Sequence, residues 1–121
     1  MIEHFFKDDD EYKDCSLQER FILDIIACEA NMKFYRRTID ILVERNPDFN
    51  SRDENTKCRI SGMKADYDTS FEVWHRLKRL YESEYGELSD FSMNAIEHIA
   101  EAYAESALKG YGWIKENISQ A

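Results

Sequence analysis

The 121-residue chain is expected to be all-α, three long helices in an antiparallel up-down-up bundle, and three observations lead there. It holds one proline and four glycines, too few turn signals for a sandwich or barrel, which needs one every 8 to 12 residues or so. Apolar residues recur at alternating steps of three and four through three long segments. Two of those segments open on a capping box, a Ser with a Glu three residues later. With 43% apolar residues the chain has enough to bury a core and escape disorder, so residues 1–121 form a single helical domain.

The first helix is expected over about 16–46. Ser16 and Glu19 make its capping box, and Pro47 stops it by disfavouring helical geometry at Asn46. Phe21, Ile25, Cys28, Met32, Tyr35, Ile39 and Leu42 form one unbroken seam. Leu23, Ala27, Ala30, Phe34 and Ile41 form a second beside it. Two seams are more apolar surface than two partner helices of a thin bundle need, which predicts a homodimer joined through this helix.

A turn over Asn46–Asn50 leads to a second box, Ser51 with Glu54, and a helix over about 51–85 with the seam Ile60, Met63, Tyr67, Ser70, Trp74, Leu77, Tyr81. Gly86 ends it. Gly62 inside it marks a kink or a close helix contact. The third helix, about 90–109 with an extension to 118 if Gly110–Trp113 continue it, starts at Ser89 or Asp90 as N-cap. Its core face is expected to be Ala95, Ile99, Ala102 and Ser106, flanked by Ile96, Tyr103 and Ala107. Short turns between such helices force neighbours to run antiparallel.

The formal charge of −9 gathers at the ends. Residues 1–19 carry seven acids against two lysines and residues 87–121 six acids against two, while the stretches between are near neutral. Such a chain repels nucleic acid and anionic membrane and attracts basic partners. Residues 1–15 read as an acidic lead-in, with Phe5 and Phe6 able to anchor on the body. That charge is wrong for a signal peptide and no apolar run spans a membrane, so a soluble, cytoplasmic protein is expected. Cys15, Cys28 and Cys58 form no CxxC pair and read as free thiols, which excludes a disulfide or zinc framework.

No catalytic set is complete. Glu72 and His75 form a Glu-x-x-His, but a di-iron bundle site needs a second such pair and two more glutamates on facing helices. His4, His75 and His98 lie one per segment without ligand spacing. Glu84, Glu87 and Asp90 echo the acidic signature of a nucleotide pyrophosphohydrolase, yet they straddle the Gly86 turn, where carboxylates are ordinarily solvated. Phosphate loops and nucleophile elbows are missing.

Asp90, Glu97, Glu101 and Glu105 line up with Asn94 along the third helix at steps that place carboxylates ~6 Å apart. This is about half the phosphate density of the DNA strand such a stripe would mimic. Trp74, Arg76, Arg79 and Tyr81 supply the residue types that dominate protein interfaces. Lys33, Arg36 and Arg37 form a further basic cluster, expected to pair with Glu29 and Asp40 at helical spacings.

These features predict a non-enzymatic interaction protein without metal or cofactor. It would occlude or regulate a protein partner with a basic surface, in the manner of a phage-type inhibitor or an adaptor chaperone. Its partner-binding residues are expected to be Asp90, Glu97, Glu101, Glu105, Trp74, Arg76, Arg79 and Tyr81, with no direct contact to nucleic acid or membrane. The alternative is a metal-dependent helical-bundle enzyme using Glu72, His75 and Glu101.

Overall fold

The computed structural model describes residues 14–110, so the acidic lead-in, the Phe5 and Phe6 anchor and any extension of the third helix past Gly110 lie outside the described residues. Those described are all-helical: α1 (Leu17–Arg45), a 3-10 turn (Phe49–Ser51), α2 (Glu54–Tyr85) and α3 (Asp90–Gly110). None of these helices is long and apolar enough to cross a membrane.

Local chemistry accounts for the helix ends. Ser16 Oγ accepts from the Glu19 N–H at 3.2 Å and the Glu19 carboxylate accepts from the Ser16 N–H at 3.3 Å, the reciprocal box that starts α1. At the other end, ahead of Pro47, the Asn46 side chain donates to the Leu42 carbonyl at 2.9 Å. The second box does not form. Asp48 takes the Ser51 hydroxyl at 2.8 Å within the 3-10 turn, and Asp53 caps α2 instead, accepting from the Thr56 N–H at 2.7 Å. A carboxylate suits that place because the helix N-terminus is electropositive, and the hydrogen bond from the Thr56 backbone holds the Asp53 carboxyl below its ordinary value. α2 ends at Gly86, whose φ of 94° favours glycine. Ser89 caps α3, its hydroxyl accepting from the Ser92 N–H at 3.1 Å.

α1 is the shared element: α2 and α3 each pack along it and only marginally on one another. Phe21, near its start, meets Tyr81 and Tyr85 at the end of α2, with ring centroids 6.5 and 6.3 Å away. One core cluster joins Ile25, Ile26 and Ala30 to Tyr81, Ile96 and Ala100, with Trp74 and Leu77 packed against it. A second joins Ile39 and Leu42 to Ile60 and Leu108. Between them in sequence lie the buried polar residues Asn31, Thr38 and Ser70, and Thr38 donates to the Phe34 carbonyl at 2.9 Å. Burial pushes the Cys28 thiol up to about 12, so it stays protonated and inert.

Two expectations change here. Ile25, Cys28, Ile39 and Leu42 of the first seam of α1 and Ala27 and Ala30 of the second are buried, while Leu23, Phe34 and Ile41 of the second are half-buried. The second seam is therefore covered in part within the chain, and less of it is wet than the expectation of a dimer through α1 assumed.

The core face of α3 is also different. Ile96, Ala100, Ala104 and Leu108 are buried, while Ala95, Ile99, Ala102 and Ser106 face out. The buried set ends on Leu108, which fills the second cluster where the expected set would have brought Ser106, and its alanines let α3 lie close to α1.

α2 runs unbroken through Gly62, which meets no neighbour: a Cβ there would touch nothing within 4 Å. Gly62→Ala should therefore raise stability by about 0.5–1 kcal/mol through helix propensity alone, read as a higher denaturant midpoint at unchanged slope.

Candidate interaction surface

The rotation of α3 turns its acidic stripe toward α1. Glu101 is half-buried and hydrogen-bonded to Arg37, with Lys33 Nζ 3.6 Å from its other oxygen. Lys33 also lies 3.7 Å from Glu97, whose side chain stays 64% exposed. The basic cluster of α1 thus finds its main partners on another helix, although Arg36 does lie 3.9 Å from Asp40, one turn on. Asp90, Asn94 and Glu105 are exposed, and neither Asp90 nor Glu105 makes an ion pair among the described residues. The stripe is therefore divided: Glu101 helps hold α3 to α1, Glu97 does so weakly, and Asp90 and Glu105 face solvent.

Beneath this edge an open groove of about 530 Å3 has Glu29, Lys33, Arg36 and Arg37 on its floor, with Tyr67 on one wall and Glu97 on the other. Glu101 and Glu29, both acted on by the Lys33 charge, are perturbed in opposite directions. The Arg37 hydrogen bond holds Glu101 below its ordinary value, against a smaller opposing effect of burial. Burial raises Glu29, with Lys33 opposing and the Glu97 charge adding to the rise. Glu29 Oε2 and Trp74 Nε1 are both buried without a hydrogen-bond partner. The indole N–H lies near enough to favour the Glu29 carboxylate a little, yet not within bonding geometry.

The aromatic-basic group does not form one surface. Trp74 is half-buried against the first core cluster, and Tyr81 is 8% exposed with its hydroxyl accepting from Gln18 Nε2 at 2.9 Å. Arg76 and Arg79 are exposed. Trp74 and Tyr81 lie seven residues apart on the seam that faces α1, where Tyr81 is buried and Trp74 keeps part of its surface exposed. Arg76 and Arg79, three apart, lie on a different side of the helix. Lys78 lies beside Trp74, 5.8 Å from the centre of its ring, and 3.7 Å from Glu82 one turn on.

Glu72 and His75 are exposed on α2, where His75 packs edge-on to Phe71 with ring centroids 4.6 Å apart. Glu101 is held by Arg37 and Lys33 on the side of α3 toward α1. Among the described residues no three His, Cys, Asp or Glu side chains come together as a metal-holding group, so Glu72, His75 and Glu101 do not converge. Glu84, Glu87 and Asp90 are exposed around the Gly86 turn, and His98 is exposed on α3; His4 lies outside the described residues.

Sequence reasoning missed the outer face of α3. Phe91 is 84% exposed and Ile99 42%, with Ala95, Ala102 and Ser106 exposed between and beyond them. The periodicity that marked four of these residues as core is real, but the face it marks looks out. No protein-family model, curated protein or solved structure matches the chain.

The opposed carboxyls give a pH signature. Glu101, lowered by folding, contributes stability that is present above the ordinary glutamate range and is lost as pH falls through its own depressed value. Glu29, raised by folding, costs stability as pH rises from that range through its elevated value. Glu101→Gln should lower the melting temperature at pH 7, the surface-type network being worth about 0.5–1 kcal/mol, and the difference should vanish in strong acid. Glu29→Gln should raise it at pH 7 and leave it unchanged near pH 3. Melts from strong acid to pH 8 check both signs.

Proposed function

We propose that the chain is a non-enzymatic interaction protein whose three helices form an antiparallel up-down-up bundle and whose acidic edge engages a protein partner with a basic surface. The direction of the helices is supported by the contact of the start of α1 with the end of α2 and by the shared cluster of Ile39, Leu42 and Ile60 at the opposite end. The observation that carries the function is the edge of α3, where Asp90, Asn94, Glu97 and Glu105 remain exposed in a row on a chain of charge −9.

Carboxylates so placed raise the rate at which a basic surface arrives and fix its register, and they act less as salt rises. The partner is occluded by contact, with no bond made or broken. Glu101 is excluded from this role because Arg37 and Lys33 already occupy its oxygens. Arg76 and Arg79, exposed on α2, belong to a different side of the surface and meet whatever acidic rim the partner presents.

Capture from a lysate of the source cells tests the reading, with wild type and the double variant Glu97→Gln, Glu105→Gln as baits at about 50 and 300 mM salt. Wild type should retain a basic protein at low salt and lose most of it at high salt, whereas the double variant should retain several-fold less at low salt while melting within a degree or two of wild type. Equal capture by both baits at low salt would overturn the proposal.

A further inference from the structure

The outer face of α3 has its own logic. Phe91, Ala95, Ile99, Ala102 and Ser106 follow one another at steps of four, four, three and four, a helical seam about 22 Å long on the side of α3 away from α1. All five are exposed, and Phe91 is the most exposed large apolar residue described. A seam of this kind on a single chain is a row of apolar side chains in water, and what covers it must match its shape and charge.

The geometry points to a second copy of this chain, with α3 packed antiparallel on α3 about a two-fold axis near His98 and Ile99. Shape is the first reason. The seam is broad at one end, with Phe91, and narrow at the other, with Ala102 and Ser106. An antiparallel pairing sets Phe91 of each copy opposite Ser106 of the other and Ala95 opposite Ala102, so large meets small at the ends and two alanines let the backbones approach at each intermediate step.

Charge is the second. α3 carries one basic residue, Lys109, at its C-terminal end, and acids Glu87 and Asp90 lie at its N-terminal end. Antiparallel pairing brings unlike ends together and opposes the two helix dipoles, whereas parallel pairing would set Lys109 against Lys109 and Asp90 against Asp90. A two-fold axis perpendicular to antiparallel helices keeps the same flank of each on one side, so the exposed carboxylates of both copies come to lie on a single face of the dimer.

One helix face against another buries an area at the low end of what specific interfaces use, so the dimer should be weak and concentration-dependent. Sedimentation velocity of the full chain from about 5 to 500 μM should show a monomer–dimer equilibrium. Ile99→Asp, at an exposed position where folding is not at risk, should weaken it at least about tenfold with an unchanged circular dichroism spectrum.

Orientation is read by oxidation. With Cys15 and Cys58 replaced by Ser, a mixture of Ala95→Cys and Ala102→Cys chains should cross-link, and neither alone should, because antiparallel copies offset like positions by about 10 Å, beyond disulfide reach. A monomer at every concentration, an Ile99→Asp dimer as tight as wild type, or cross-linking of Ala95→Cys with itself would each overturn the proposal.

Discussion

Because α2 and α3 each rest on α1 and scarcely on one another, the apolar surface that α1 carries on two sides is what holds the molecule together. Ile25, Ile26, Ile39 and Leu42 are buried there, each worth roughly 1.5–3 kcal/mol when fully removed from water. The ion pairs between α1 and α3 are smaller effects, partly exposed and worth at most about 1 kcal/mol apiece. Packing therefore decides that three helices associate. The rotation of α3 about its own axis is a finer matter, and there the ion pairs and the packing agree: the rotation that buries Ile96 and Leu108 also lays Glu97 and Glu101 over Lys33 and Arg37.

The features legible in the sequence were those set by near neighbours. The Ser16–Glu19 box, the stop before Pro47 and the turn at Gly86 involve residues at most a few positions apart, and each end fell where its chemistry placed it. The seam of α2 was legible too, because Ile60, Ser70 and Tyr81 are buried with polar residues on most other sides. Where two acceptors competed over a short span, the reading failed: Ser51 and Asp53 are both good caps, and the 3-10 turn took the serine.

α3 defeated periodicity for a different reason. An alanine-rich helix presents two arcs of similar hydrophobicity, Ile96–Ala100–Ala104–Leu108 and Ala95–Ile99–Ala102–Ser106, and nothing local chooses between them. The choice is made by α1, through contacts more than fifty residues apart in sequence. The same long-range contact hid the status of Glu101, which along the helix looked like one of four equivalent carboxylates. Trp74 and Tyr81 are the opposite case. Their place in the seam of α2 was visible from spacing, and that spacing already argued against their serving on the surface with Arg76 and Arg79.

The opposed perturbations of Glu29 and Glu101 follow from where each carboxylate sits relative to the cations of α1. The Lys33 charge acts on both, but Glu101 also has the Arg37 guanidinium in hydrogen-bonding contact, whereas Glu29 lies deeper with an oxygen that nothing donates to. One carboxylate is stabilised as an anion and its neighbour is penalised, which is the arrangement that an ion network at a helix interface produces when its cations are unevenly shared. This division has a consequence for the surface. By drawing Glu101 and part of Glu97 inward, α1 leaves Asp90 and Glu105 at either end of the stripe as its unneutralised charges, and turns the apolar arc of α3 outward beside them. A single helix rotation thus sets both the acidic edge and the apolar face, and each can be altered by substitution without disturbing the other.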